Sequence, residues 1–452
     1  MGFDRSRLSD SWRRAFDYVE QQLGGRIVAG ERQARWRPAW FLELEREGEI
    51  LPIYFRGARA EAERGVAQLR HEHTCLELLA KHDIPVPRVH GFCSDPEGIV
   101  MDRAPGRFDL STIESESERV AVRNHYMEIL ARIHALPTDD FEAVGMRRPE
   151  TPRELALGDL ERWIRAYRKA KSRPEPVIEF ALDWLQRNVP QGRQRTSFVL
   201  GDAGQFLFDR GRVTAVLDVE LAYVGDPAAD LGALLSRDLS EPLGDIDHAL
   251  RHYEAASGEA VDRAAVHYHA VRFGIVTPLA TAAVVANPPP VADYVQYLVW
   301  SVVFARCPLE IVAHLEGVAI DPPTLPDEDD SNYAVAHDAL RDRLAALERG
   351  DGFQGYQVDA LERLATYLRR CDRFGRGVLE ADLDEAASLL GQRPGSERER
   401  DLALEALVSG NRGEHDAALL RYFVRRLRRQ ELLLEPVMRE LASARMQVLA
   451  SA

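Results

Sequence analysis

Two aspartates set the chemical question. Asp202 lies in Phe198-Val199-Leu200-Gly201-Asp202-Ala203-Gly204-Gln205, a polar stretch ending in an amide side chain. Asp218 opens the later stretch Asp218-Val219-Glu220. Between them Phe206-Leu207-Phe208 and Val213-Thr214-Ala215-Val216-Leu217 flank Arg210-Gly211, the signature of a β-hairpin. Such a hairpin returns the second carboxylate beside the first. Phosphoryl transfer needs that pair: one carboxylate orients and deprotonates the attacking hydroxyl, and the other holds magnesium against nucleotide phosphates. The amide oxygen of Gln205 offers one more hard ligand. The alternative is a hairpin with polar capping groups, in which Gln205 only satisfies nearby backbone.

These residues need elements to position them. Leu8, Trp12, Ala15, Phe16, Val19 and Leu23 recur at helical spacing. Alternation over Trp40–Glu45 and Leu51–Arg56 predicts strands, and Arg59–Lys81 reads as a long helix. Short strands are expected at Arg88–Phe92 and Gly98–Asp102. Pro105-Gly106 ends this pattern. Helices are expected over Val120–Leu136, Pro152–Lys171 and Pro176–Asn188, and again from Ala228. The acidic, proline-rich stretch Ile320–Asp330 reads as a linker, followed by helices with stripes at Leu340, Leu344, Leu347 and at Leu361, Leu364, Leu368.

The chain resembles the aminoglycoside phosphotransferase and choline kinase superfamily, whose members have a protein-kinase-like fold. The family pattern is His-Gly-Asp, four residues, Asn, a hairpin, Asp, then Trp or Phe and often Glu, closed by Gly-Asp-Pro and a helix carrying another Asp. Here Gly201-Asp202, Gln205, Asp218-Val219-Glu220 and Gly225-Asp226-Pro227…Asp230 follow that order. The resemblance implies Asp202 as catalytic base, Asp218 and Gln205 as magnesium ligands, and Asp226 and Asp230 as residues that shape the site. Ile53-Tyr54-Phe55-Arg56 resembles the third strand, which implies Arg56 as the phosphate-neutralising base, and Leu69-Arg70-His71-Glu72 the helix whose Glu72 pairs with it. Val100–Gly106 resembles the approach to the adenine hinge, with the backbone of Met101, Asp102 and Arg103 on the adenine edge. Leu130–Leu136 is similar to a helix ending common in the family. The ordered motifs span roughly residues 20 to 310.

Three departures stand out. Leu200 replaces the usual His, the loop is about two residues short of the family pattern, and the nucleotide loop Gly30–Pro38 is bulky. Its Arg32, Arg35 and Arg37 either bind phosphate bidentately or form a surface patch. Arg56 and Glu72 have a plain reading too, as a solvated strand residue and a surface helix residue. Against the enzyme stands a degenerate kinase-like binding or scaffold protein without transfer activity, in which neither Asp202 nor Asp218 is needed.

Composition narrows the field. The 452 residues carry 58 Lys and Arg against 73 Asp and Glu, a net charge of −15. That excludes nucleic acid bound by phosphate neutralisation and attachment to an anionic membrane. The longest apolar stretches, such as Leu279–Ala286, look too short to span a bilayer. Cys75, Cys93, Cys307 and Cys371 have no metal or redox spacing, and a cytoplasmic location is expected. Met1–Ser6 matches a myristoylation pattern that chance supplies often. His248 and His252, four apart, lack a third zinc ligand, His267 and His269 read as packing or surface residues, and Arg425–Arg429 reads as a solvated helix face.

The expected architecture is α+β and bilobal: a nucleotide-binding N-lobe (1–104), a catalytic and acceptor-binding C-lobe (105–325) and a helical extension (326–452). The expected activity is ATP-dependent, magnesium-dependent phosphate transfer to a small-molecule hydroxyl. Family precedents for the acceptor include aminoglycosides, choline-like alcohols, sugars, homoserine and hydroxyacyl thioesters. The extension either completes the acceptor pocket or forms a homodimer contact.

Overall fold

The computed structural model describes residues 5–6, 8–33, 37–58, 62–290, 292–329, 331–350 and 352–450. The first four residues of the Met1–Ser6 pattern, and Ala34, Arg35 and Trp36 of the nucleotide loop, lie outside the described residues. The N-lobe begins with α1 (Asp10–Leu23), capped by the Ser9 hydroxyl accepting from the Trp12 N–H. Strands β1 (Arg26–Arg32), β2 (Ala39–Arg46) and β3 (Glu49–Gly57) lead to α2 (Ala62–Lys81), then to β4 (Val89–Ser94) and β5 (Glu97–Asp102). They form an antiparallel sheet in the order β1-β2-β3-β5-β4. The apolar stripe of α1 and one sheet face make a small core, in which Phe16 meets Trp40 edge-on at 5.2 Å. That core fixes β3, and β3 presents Arg56 toward α2.

The C-lobe comprises α3 (Glu116–His134), α4 (Asp139–Glu142), α5 (Pro152–Leu157), α6 (Leu160–Ala170) and α7 (Pro176–Arg187). There follow β6 (Ser197–Val199), β7 (Phe206–Asp209), β8 (Arg212–Val216), β9 (Tyr223–Gly225) and α8 (Ala228–Arg237). Helices α9 (Ile246–Ser257), α10 (Arg263–Ala286) and α11 (Tyr294–Leu315) complete it. The expected hairpin is β7 with β8, paired from Phe206↔Val216 to Asp209↔Arg212. The single helix expected over Pro152–Lys171 is two, because Gly158 takes φ +55° and leaves no room for a side chain against the Tyr223 ring.

The expectation that the apolar stretches are too short to span a bilayer needs correcting: α10 and α11 are long and apolar enough to do so by length and composition. Two thirds of the most apolar window of each is buried inside the protein, and the buried guanidiniums of Arg272 and Arg306 lie within them.

The extension consists of α12 (Ala334–Ala345), α13 (Gly352–Leu390), α14 (Glu397–Gly410) and α15 (Asp416–Leu434). One continuous core runs from Leu69 on α2 through the C-lobe to Leu449, with Phe180 of α7 against Phe423 of α15 at 5.5 Å. The run Arg425–Arg429 is not a solvated face. Arg429 is buried and donates to Asp382 at 2.9 Å, Arg426 donates to Asp401 at 2.7 Å, and Arg400 reaches the same Asp382 at 2.6 Å. The cause is non-local: the carboxylates come from α13 and α14, so charge that looks unpaired in sequence is neutralised in the interior. The predicted stripes on α12 and α13 are largely outside, with Leu340, Leu347, Leu361 and Leu368 exposed.

Candidate active site

The loop between β6 and β7 is held from beneath. Asp230, in the first turn of α8 and fully buried, accepts from the backbone N–H of Leu200 at 2.7 Å and of Gly201 at 2.9 Å. Its Oδ2 also lies 3.1 Å from His134 Nε2, and the other ring nitrogen meets the Tyr253 hydroxyl at 2.8 Å. The Tyr126 hydroxyl accepts from the Gly204 N–H at 2.7 Å. Gly201 takes φ +77° with its Cα against the Leu221 carbonyl, where any side chain would collide with backbone. Leu200 itself is buried. Bracing that a histidine would give through its side chain is supplied here by Asp230 and Tyr126 through main-chain N–H groups.

Asp202 projects from this loop and is nearly buried. Arg237, the last residue of α8, grips it with both arms of its guanidinium: Nε donates to Oδ1 at 2.5 Å and the second arm to Oδ2. Gln205 Nε2 also donates to Oδ2, at 2.9 Å. Burial raises the Asp202 carboxyl above the ordinary aspartate range, Arg237 opposes the rise, and the charges of Asp218 and Glu220 add to it.

Asp218 follows β8 in the left-handed region, φ 58°. The Leu217 N–H donates to the Gln205 carbonyl at 2.9 Å, so the hairpin does bring the two stretches together. Arg56 links the lobes: its Nε donates to Glu72 at 2.8 Å, and one arm donates to Asp218 at 2.6 Å and to Glu220 at 3.4 Å. The expected pairing of Arg56 with Glu72 is therefore present, and neither residue is a solvated surface group. Arg37 is buried as well, donating to Glu220 at 2.5 Å with Glu72 3.9 Å away, which rules out a surface patch at that residue. Burial would discharge Arg56, yet Glu72, Asp218 and Glu220 hold its pKa well above the ordinary value. The Glu72 carboxyl is also raised, pushed up to about 7 by burial against the pull of Arg56.

Glu72, Asp218 and Glu220 each place one carboxylate oxygen so that all lie within 4.8 Å of one another. Hard oxygen donors at that spacing suit magnesium. Among the described residues this is the one cluster of that kind. The Gln205 hydrogen bond to Asp202 uses its amide N–H and not the amide oxygen expected to meet the metal. His252 faces Glu128 at 3.0 Å and belongs to no such cluster.

At the hinge, Met101 is buried and pairs with Tyr54 across β3. The Asp102 N–H donates to the Arg88 carbonyl at 2.9 Å and the Arg103 N–H to that of Pro52 at 3.0 Å. Both donors thus already serve the lobe's own structure. The Arg103 guanidinium lies over the Phe41 ring at 4.3 Å.

Asp226 anchors the far side. Arg193 donates to both its oxygens at 2.6 Å, and the Ala228 N–H adds 2.9 Å. Although burial pushes the other way, the hydrogen bonds from Arg193 and the His269 imidazole 3.6 Å away hold this carboxyl well below the usual range. Its contribution to stability is complete above the unfolded aspartate value of about 4 and is lost as pH falls below it. Asp226→Asn is expected to be less stable at pH 7, with the difference from wild type shrinking below about pH 4. Unfolding free energies of the two against pH check this; a constant difference contradicts it.

Residues 34–273 match the model of the phosphotransferase enzyme family. The chain belongs to that family. Among curated relatives of this phosphotransferase-family chain, acyl-CoA dehydrogenase family member 10 of Mus musculus is 30% identical over 178 residues, covering 36% of this chain and 16% of the relative. Acyl-CoA dehydrogenase family member 11 of Rattus norvegicus is 30% identical over 241 residues, 48% of this chain and 30% of the relative. The chain thus spans less than a third of the length of these relatives. Similar solved structures include macrolide 2'-phosphotransferase MphH from Brachybacterium faecium, with 19% identity, TM-score 0.45, and coverage of 61% of this chain and 98% of that one. A thermostable mutant of aminoglycoside phosphotransferase APH(4)-Ia in its apo form gives 16%, 0.48, 67% and 99%.

Three site residues escaped the sequence reading. Glu220 was visible inside its motif but without a role. Arg37 reads from sequence either as a phosphate ligand or as a surface residue. Arg237 carried one usable signal: it lies seven residues, two helical turns, beyond Asp230, and so on the same face of α8.

Proposed function

We propose that this phosphotransferase-family chain transfers the γ-phosphate of ATP to the hydroxyl of a small molecule. The observation that carries this reading is the convergence of Asp202, on a loop braced through its main chain, with the cluster of Glu72, Asp218 and Glu220 bridged by Arg37 and Arg56. Asp202 orients the acceptor hydroxyl and takes its proton. The acceptor oxygen then bonds to the γ-phosphorus as the bond to the bridging oxygen breaks, and ADP leaves with that electron pair. Arg56, held by Glu72, neutralises phosphate charge, and Arg37 is placed to join it. Asp218 and Glu220, with Glu72 in reach, would hold magnesium, which neutralises charge on the nucleotide phosphates when bound. In this reading the backbone of Met101 to Arg103 meets the adenine edge, with the N–H groups of Asp102 and Arg103 already engaged within the lobe. The phosphotransferase-family match over residues 34–273 supports a phosphate donor of this kind.

The acceptor screen should span choline-like alcohols, sugars, homoserine, an aminoglycoside and hydroxyacyl thioesters. ADP release that depends on an acceptor, with a matching phosphate ester by phosphorus NMR, is the supporting result. A second reading, nucleotide binding without transfer, is favoured by one observation: Arg237 and Gln205 engage both oxygens of Asp202. Bound nucleotide with no ester from any acceptor class would select it. Exposed Val335, Leu340, Leu347, Leu361 and Leu368 support α12 and α13 as a homodimer contact, which sedimentation velocity tests. Four free thiols fit a cytoplasmic setting; intact folding after export to an oxidising compartment would argue against it.

A further inference from the structure

An arginine at the candidate base asks for an explanation. A hydroxyl that is to lose its proton to Asp202 must reach a carboxylate whose two oxygens already accept from Arg237, with Gln205 as a third donor. Arg237 is not a buried strut like Arg272 or Arg306: its side chain keeps about a quarter of its surface open, 23%. A guanidinium carries five N–H donors in a planar fork. Asp202 takes donors from Nε and from one arm, and hydrogens remain for a second acceptor in the same plane. Whatever approaches Asp202 therefore also meets a fixed cation beside the base.

We infer that Arg237 is a specificity-determining residue that seats a carboxylate carried by the acceptor close to its reacting hydroxyl. This rests on the phosphotransferase reading above and deepens it by naming the acceptor's charge. Surrounding carboxylates limit the charge that fits: Asp109, before α3, Glu241, after α8, and Asp218 all bear on this region, and burial shifts the Glu241 carboxyl toward its neutral form. A single carboxylate on the acceptor is matched by Arg237. A cationic acceptor would place like charge against the guanidinium, and a neutral one would leave its remaining donors unanswered.

The test uses the full chain with magnesium and the non-hydrolysable analogue AMP-PNP. Its probes are straight-chain ω-hydroxycarboxylates of three to six carbons, each paired with its primary amide. For wild type, at least one carboxylate is expected to bind about tenfold or more tighter than its amide. Arg237→Lys should keep part of that preference, because it keeps the charge and loses the fork, and Arg237→Gln should abolish it. A merely structural Arg237 would weaken both members of a pair alike. Thermal unfolding confirms that each variant is folded, and Arg237→Lys carries the test if Arg237→Gln is not. Equal binding of carboxylate and amide, binding of no carboxylate, or a preference that survives Arg237→Gln overturns the inference. AMP-PNP binding in the same titration separates the failures. If the nucleotide binds and no carboxylate preference appears, only the Arg237 assignment falls; if the nucleotide does not bind, the phosphotransferase reading falls with it.

Discussion

Asp202→Asn is expected to lower turnover by about 10²–10⁴-fold while leaving affinity for ATP nearly unchanged, because general-base catalysis contributes that much and Asp202 touches no nucleotide-binding group. The substitution preserves shape and removes the proton acceptor. It also turns an amide N–H toward the Arg237 fork, so Asp202→Ala is the companion variant. In both, Arg237 loses its carboxylate, but its partly open side chain can be solvated, and the stability cost should stay at about 1–3 kcal/mol. Turnover with the best acceptor from the screen, read beside nucleotide affinity, checks the assignment. Undiminished turnover in either variant removes Asp202 from the mechanism. Loss of nucleotide affinity together with turnover would indicate a collapsed loop rather than a missing base.

Asp230→Ala should produce the largest loss of stability. The carboxylate is fully buried and accepts from two main-chain N–H groups, Leu200 and Gly201, with His134 against it. Alanine strands these donors in an interior that water does not reach. Breaking such a buried charged network costs about 3–5 kcal/mol. Because those two N–H groups immediately precede Asp202, the base should lose its aim as well, and turnover should fall further than stability alone explains. Urea unfolding gives the first quantity and kcat on the folded fraction the second. A cost below about 1 kcal/mol would mean that Tyr126 and the β6–β9 pairing hold the loop without Asp230.

What the sequence made legible was local. The hairpin returning Asp218 follows from alternation and Arg210-Gly211, and the Arg56–Glu72 pair is what the family resemblance implies. What it hid was partnership across distance. Arg237 finds Asp202 across 35 residues, and Arg37 finds Glu220 across 183, so neither charge advertises its partner. Arg425–Arg429 looked solvated because Asp382 and Asp401 sit on other helices. Strand β1 was missed for another reason. Its apolar residues Ile27, Val28 and Ala29 stand in a row instead of alternating with polar ones, and a register shift between Ile27 and Ala29 interrupts the pairing.

A working nucleotide–magnesium site built on Asp218 can be tested without knowing the acceptor. Thermal unfolding of wild type and Asp218→Asn would be followed with ATP, with magnesium, and with both. A ligand at 100 times its dissociation constant stabilises the folded state by about 2.7 kcal/mol. The expected result is a rise in unfolding temperature for wild type that requires both components and disappears in Asp218→Asn. No shift at millimolar nucleotide, or a shift indifferent to magnesium and to the substitution, would contradict the account.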